Sequence, residues 1–383
     1  MKFFFIVGEN SGDALAAPLI STLREKHGDN IECSGIGGPL MKESGFDELL
    51  PMDQISIMGI WEVLPKIPRL LKLKNAIVEE IEKQQPDAVI TVDFPDFNFL
   101  VAKALKKRGK FKGKVIHYVA PSVWAWRPER AKKVSQFLDG IMCLFPMEVE
   151  HFTKHGLKAE HVGHPVIASG ARDASAEEFR AANNIPKDAQ TIGLFFGSRE
   201  AEFKRVSESI KQSMLLINDV HKDLHIIIPT IPSKEYEVQS LLQDFELPVY
   251  VSANPNMKWQ AFKSCDAAIA VSGTVGLELA YAGVPHVIAY KANAITALLI
   301  KFLAKVKYAH LANILLDKNI IPEFLQGRCI PNLIAQDALA LLQDKEKSDA
   351  QKEAFKELGT LLGEGKEREP SQNAMDFIMK LVA

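Results

Sequence analysis

Phe3-Phe4-Phe5-Ile6-Val7-Gly8-Glu9-Asn10-Ser11-Gly12-Asp13 begins as an unbroken apolar run and ends in a turn of small residues. The run reads as a strand buried on both faces, as in a parallel sheet, and the turn as the opening of a helix. The same chemistry returns downstream, where Thr191-Ile192-Gly193-Leu194-Phe195-Phe196 leads into Gly197-Ser198-Arg199-Glu200-Ala201-Glu202. Such turns leave backbone N–H groups at a helix start free to face an anion. Two of them so far apart predict two Rossmann-like, doubly wound α/β domains facing across a cleft. One wall would take a nucleotide-activated substrate and the other an acceptor.

The pattern on either side of these stretches agrees. Strand-like runs fall at 2–7, 31–36, 88–92, 114–119 and 140–144, with helical segments at 61–83, 96–108 and 128–137. In the second half the runs fall at 191–196, 224–228, 248–251, 266–270 and 286–289, again separated by helices. This alternation is that of parallel sheets with helices on both faces. Gly and Pro interrupt it at Val162-Gly163-His164-Pro165. The predicted division is therefore 1–164 and 165–365, with a final helix 366–383 expected to pack back on the first domain; the tail 333–383 reads as helices only, broken at Gly363–Pro370.

A chain of 383 residues with 47% hydrophobic residues has ample core for two domains. The net charge of −2 argues against a nucleic-acid-binding surface. Cys33, Cys143, Cys265 and Cys329 are widely spaced, which fits buried thiols rather than disulfides or a zinc site. No stretch reaches the ~18 apolar residues of a spanning helix, so a soluble or surface-attached protein is expected.

Chemistry-bearing residues gather at strand ends. Val271-Ser272-Gly273-Thr274-Val275-Gly276-Leu277-Glu278 places two hydroxyls and backbone amides at a helix start, with Glu278 one turn in. That is a diphosphate cradle with a carboxylate for two ribose hydroxyls, or simply an N-cap at Ser272 or Thr274. Arg199, behind Gly197 and Ser198, offers a guanidinium fork for a leaving diphosphate, or a surface ion pair with Glu200 or Glu202. No DxD metal pair is found, and no cofactor is expected. Asp93-Phe94-Pro95-Asp96-Phe97-Asn98 puts two carboxylates and an amide at another strand end. Phe94 and Phe97 are expected to desolvate Asp96 and make it a base for a sugar hydroxyl; capping of helix 96–108 is the alternative.

Trp124 and Trp126, beside Arg127 and Arg130, read as the wall of a ligand site. His151, His155, His161 and His164 lack the HExxH pattern and are expected on an exposed helix and at the hinge rather than on a metal. The stretch 57–74, with Ile60, Trp61, Leu64, Lys66, Arg69, Leu71 and Lys72, interleaves bulky apolar residues with cations. It reads as an amphipathic helix packed on the sheet or, since its apolar residues exceed one buried stripe, as a patch for an anionic bilayer. Each cation would contribute ~1 kcal/mol there.

Taken in order, these motifs carry a resemblance. Gly8-Glu9-Asn10-Ser11-Gly12-Asp13, Gly35-Ile36-Gly37-Gly38-Pro39, Asp93 to Asn98, Pro121-Ser122-Val123-Trp124-Ala125-Trp126-Arg127, Gly163-His164-Pro165, Gly197-Ser198-Arg199 and Ser272-Gly273-Thr274 span nearly the whole chain. The chain resembles the lipid-A-disaccharide synthases, GT-B glycosyltransferases of Gram-negative bacteria. The resemblance implies transfer from UDP-2,3-diacylglucosamine to 2,3-diacylglucosamine 1-phosphate, giving a β-1,6 disaccharide 1-phosphate and UDP with inversion. It implies Asp96 as base with Asp93 beside it, and Gly197, Ser198, Arg199, Ser272, Gly273, Thr274 and Glu278 around the donor. Asn313 is carried over to the donor site as well, although Ala312 stands where the family has proline. Ser11, Asn98, Ser122, Trp124 and Arg127 would face the acceptor. The implied location is the inner face of the cytoplasmic membrane, on its phospholipid; a homodimer is compatible with the chain. A UDP-GlcNAc epimerase of the same fold is the nearest competitor, but has little use for the 57–74 patch. An inactive lipid-binding protein is another. A nicotinamide dehydrogenase lacks its GxGxxG, and a serine hydrolase its GxSxG.

Overall fold

A computed structural model describes residues 1–55, 67–197, 199–243, 245–293, 297–298 and 305–383. The chain divides into two compact units, Met1–Pro165 with Gly365–Ala383, and Val166–Glu364.

Unit 1 holds a 7-stranded sheet in the order β3-β2-β1-β4-β5-β6-β7. Its strands are β1 (Lys2–Val7), β2 (Glu32–Gly37), β3 (Asp47–Pro51), β4 (Ala88–Val92), β5 (Lys114–Tyr118), β6 (Gly140–Cys143) and β7 (Lys158–His161). Every pairing is parallel. Phe3 to Val7 are buried to the last residue because helices cover both faces of β1. Phe5 pairs with Gly35 on one side and Ile90 on the other. Gly35 has φ +131°, and a Cβ there would collide with the Phe5 carbonyl oxygen. Gly37 makes room for the Met41 and Phe46 side chains, and Gly38 for the Asp13 carboxylate.

Unit 2 holds a 6-stranded sheet in the order β10-β9-β8-β11-β12-β13. These strands are β8 (Thr191–Phe195), β9 (His225–Pro229), β10 (Val249–Ser252), β11 (Ala267–Val271), β12 (His286–Tyr290) and β13 (Glu323–Leu325), all parallel. The two doubly wound parallel sheets are those expected. Each unit has its own core, around Ile6, Val89 and Ile141 in unit 1 and Leu194, Ile269 and Val287 in unit 2.

β3, β7 and β13 escape a search for apolar runs. They are edge strands, with sequences Asp-Glu-Leu-Leu-Pro, Lys-Ala-Glu-His and Glu-Phe-Leu. An edge strand has one partner and exposed flanks, so polar residues are tolerated or favoured.

The last helix, Pro370–Val382, lies within unit 1. Phe377 and Leu381 pack over Gly140, and Asn373 Nδ2 donates to the Val162 carbonyl at 3.1 Å. The helix Ile67–Gln84 turns Leu70, Leu73, Ile77, Val78 and Ile81 to the core. It leaves Arg69, Leu71 and Lys72 exposed, with Arg69 Nη2 2.6 Å from Gln54 Oε1. Ile60, Trp61, Leu64 and Lys66 lie outside the described residues, as does Ser198. Among the described residues no helix is long and apolar enough to cross a membrane. The four cysteines are free and buried.

Candidate active site

The direction of winding reverses once in each sheet. In unit 1 this happens between β1 and β4, and in unit 2 between β8 and β11. Beyond the C-terminal ends of such strand pairs a crevice opens, because the two following loops run to opposite faces. The strand-to-helix connections at the unit 1 reversal run from Val7 to the helix starting at Asn10 and from Val92 to the helix starting at Pro95; those at the unit 2 reversal run from Phe195 to the helix starting at Glu200 and from Val271 to the helix starting at Thr274. Four of the motifs, Gly8–Asp13, Asp93–Asn98, Gly197–Arg199 and Ser272–Thr274, fall at these two points.

At the unit 1 reversal the backbone is strained. Asp93 and Phe94 both have positive φ, 48° and 44°. Non-glycine residues in that region cost about 1–3 kcal/mol each, and persist only where the surroundings fix them. Asn98 is fully buried, and its Nδ2 donates to the carbonyls of Asp93 at 2.7 Å and Val92 at 3.2 Å. Gly8 makes room for the Phe94 ring; a Cβ there would lie 2.6 Å from Phe94 Cδ1. So shaped, the turn brings Asp93 Oδ2 to 3.0 Å from Ser11 Oγ, which donates to it. Asn98, expected to face an acceptor, is instead an internal bracket of this turn.

Asp96 differs from expectation in two ways. The helix Pro95–Arg108 has Phe94 as N-cap with no side-chain cap bond, so Asp96 does not cap it. Nor is it desolvated: its side chain is 89% exposed. Phe97 turns into the core and Phe94 packs beside it, ring centroids 6.2 Å apart, leaving the carboxylate in solvent. Its partner is Arg130, with Nη2 2.9 Å from Oδ1. Arg130 in turn lies over the Phe99 ring, 5.1 Å from the centroid. The sequence shows Arg130 near Arg127, but only the fold of the 118–130 loop reveals its pairing with Asp96.

That loop starts at Val119, with φ +79°. Ser122 is exposed. The Arg127 guanidinium stacks 3.7 Å over the ring of Trp126, which is 41% exposed. Trp124 turns inward, and its Nε1 donates to Glu148 Oε1 at 3.1 Å. The two tryptophans therefore do not form one wall. His161, the last residue of β7, and His164 are partly enclosed, and burial holds both down at about 4. No cluster suited to a metal occurs among the described residues.

At the unit 2 reversal the helix Thr274–Ala282 has Gly273 as N-cap and no side-chain cap, so neither Ser272 nor Thr274 acts as one. Glu278 is paired, its Oε1 2.7 Å from Lys258 Nζ. Lys258 also approaches the rings of Trp259 and Phe262. Nothing in its local sequence marks it as a partner of Glu278. Gly197 has φ +79° and leads to Arg199, the N-cap of the helix Glu200–Val220. The Arg199 side chain is 74% exposed and sits 3.1 Å from Glu202. The surface pair considered from sequence is thus formed, at a typical worth of no more than about 1 kcal/mol. A diphosphate can displace so weak a partner.

Asn313 does not face a ligand. It is fully buried. Its Nδ2 donates to Ile321 O and Glu323 Oε1, both at 2.8 Å, and its Oδ1 accepts the N–H groups of Ile320 and Ile321. An amide has two donors and two acceptor lone pairs, and all four are taken.

A family model described as lipid-A-disaccharide synthetase matches residues 3–377. A lipid-A-disaccharide synthase of Rhodospirillum centenum is 37% identical over 100% of this chain and 95% of its own. That of Paramagnetospirillum magneticum is 38% identical over 99% and 98%. Among solved structures, the UDP-GlcNAc 2-epimerase of Neisseria meningitidis bound to UDP-GlcNAc superposes with a TM-score of 0.67 at 14% identity, covering 99% of this chain and 100% of that one. MurG of Acinetobacter baumannii does so with a TM-score of 0.60 at 15% identity, covering 99% of each. At such identities the structures share the fold alone.

Proposed function

The chain belongs to the lipid-A-disaccharide synthetase family, a family of glycosyltransferases, and from that premise we propose that it joins UDP-2,3-diacylglucosamine to 2,3-diacylglucosamine 1-phosphate with inversion. The observation that carries this reading is the position of Asp93, Asp96, Arg199 and the Ser272–Thr274 turn at the reversal points of the two sheets.

In this reading Asp96 takes the proton of the acceptor hydroxyl as its oxygen attacks the anomeric carbon, and the bond from that carbon to the UDP oxygen breaks. A positioned base contributes typically ~10²–10⁴-fold. Its exposure leaves the Asp96 carboxylate open to an incoming sugar. Asp93, oriented by Ser11, supports it. Arg199 leaves Glu202 for the departing diphosphate, while the amides at the start of Thr274–Ala282 meet its other oxygens. Glu278 receives the ribose hydroxyls. Gly197, Ser198, Ser272 and Gly273 shape the phosphate path, and Asn313 holds the segment 320–323 rather than the nucleotide. Ser122, Trp126 and Arg127 are offered to the acceptor, with Trp124 beneath them. No metal or other cofactor is invoked.

We further propose attachment to an anionic membrane surface through 57–74, supported by exposed Arg69, Leu71 and Lys72. Serine at Ile60, Trp61, Leu64 and Leu71 should release the protein from anionic vesicles; unchanged co-sedimentation contradicts the patch. The reaction is tested by replacing Asp96 and Arg199 singly with alanine. Each should lower kcat by at least about 10²-fold in the folded protein. A loss of tenfold or less at Asp96 would reduce it to an orienting residue.

A further inference from the structure

One buried carboxylate outside the proposed chemistry reaches the acceptor loop. Glu148 is 2% exposed. Its Oε2 accepts the N–H groups of Leu144 at 3.1 Å and Phe145 at 3.2 Å, both within its own turn. Its Oε1 accepts Trp124 Nε1–H at 3.1 Å, from a loop 24 residues away in sequence. Burying a carboxylate is costly, and a local turn can be capped by a hydroxyl or an amide. The bond to the indole is what this carboxylate adds.

The loop needs such a restraint. It leaves β5 through Val119, a β-branched residue at φ +79°, whose N–H is held by Met142 O at 3.1 Å. A backbone in that region persists only where its surroundings hold it. The Val119–Met142 bond holds the start of the loop, and the Trp124–Glu148 bond holds it five residues on.

We propose that Glu148 is a positioning residue for the acceptor: its carboxylate anchors the Trp124 indole and so sets Ser122 to Arg127 in the geometry that receives the sugar. This rests on the functional reading above, which assigns that loop to the acceptor.

The titratable and charged groups grouped with Glu148 are Cys143 on β6, His161 on β7, His164 and Lys366. His161 Nε2 lies 3.1 Å from Leu144 O, His164 stacks on Phe145 at 5.6 Å, and Lys366 Nζ is 3.2 Å from His161 Nδ1. Burial pushes Glu148 up to about 7 against the pull of its three hydrogen bonds. It holds both histidines at about 4 and pushes the Cys143 thiol far up. Of Glu148, Cys143, His161 and His164, only Glu148 changes charge near neutrality.

Two measurements test the role. Phenylalanine at Trp61, Trp126 and Trp259 leaves Trp124 as the single tryptophan of four. Its emission should shift with pH around a midpoint near 7, and Glu148→Gln should abolish the shift. In kinetics on the otherwise unaltered chain, Glu148→Gln should raise the acceptor KM about tenfold, as expected for loss of a charged hydrogen bond, with the donor KM within about twofold. Added to Trp124→Phe, it should change the acceptor KM by no more than about twofold, because coupled residues act through one bond. Additive effects, or equal rises in both KM values, overturn the proposal. Where the unaltered chain forms disaccharide, a flat emission in the single-tryptophan variant overturns the Glu148 role alone. Where the unaltered chain forms no disaccharide, a titrating emission keeps the bond, but the functional reading and this role fall together.

Discussion

Asn313 bonds four groups of the segment that follows it, and Arg199 sits loosely against one exposed neighbour. Their substitutions should therefore read out differently. Asn313→Ala strands buried backbone groups of Ile320 and Ile321, each costing about 1–3 kcal/mol when unsatisfied. The expected loss is about 3 kcal/mol in urea unfolding. A variant of unchanged stability but raised donor KM would return Asn313 to the nucleotide. Arg199→Ala should leave unfolding within about 0.5 kcal/mol, as surface changes do, while lowering kcat. Sequence showed the residue types at both positions but not their partners. Hydrogen-bonding side chains serve equally as brackets or as ligand contacts, and burial decides between the two. The same holds at Asp96, where the flanking phenylalanines suggested desolvation. Helix geometry turns Phe97 inward and leaves the carboxylate outside with Arg130.

At the scale of elements the sequence was most informative where strands are buried on both faces. β1, β4, β8 and β11 are fully or almost fully buried and predominantly apolar, and they are the strands that flank the two reversals. The edge strands β3, β7 and β13 were illegible because exposure frees their composition. The Gly35–Gly38 stretch was legible as a motif but not as a cause. Gly35→Ala places a Cβ against the Phe5 carbonyl at a φ that side chains rarely adopt. We expect a loss of at least about 3 kcal/mol, from steric overlap and backbone strain together, seen as a lower Tm. A Tm within a degree of the parent chain would mean that β2 shifts freely against β1.

For the whole molecule, pH is the variable that reaches both units. In unit 1 burial holds His161 and His164 at about 4 and His117 at about 3. In unit 2 it holds His286 at about 4 and His310 well below its ordinary value. A histidine whose folded pKa is depressed stabilises the fold above its unfolded value of 6.5, and that stability is lost as pH falls through the folded value. The urea midpoint should therefore fall steeply between pH 6.5 and 4; a flat profile over that interval would show that these rings are solvated. Glu148 acts in the opposite sense: its folded pKa is raised, so its contribution is present below about 4.5 and is lost as pH rises through about 7. The stability maximum is set by the two together.

The family and the two doubly wound sheets define the class of chemistry, and the substrates are the central claim. The most direct test is an assay without added metal, using UDP-2,3-diacylglucosamine and 2,3-diacylglucosamine 1-phosphate in detergent, with UDP and disaccharide followed together. Both products are expected in equal amounts, with their loss together in Asp96→Ala. Folded protein that forms neither product, or releases UDP without disaccharide, would contradict the proposed transfer.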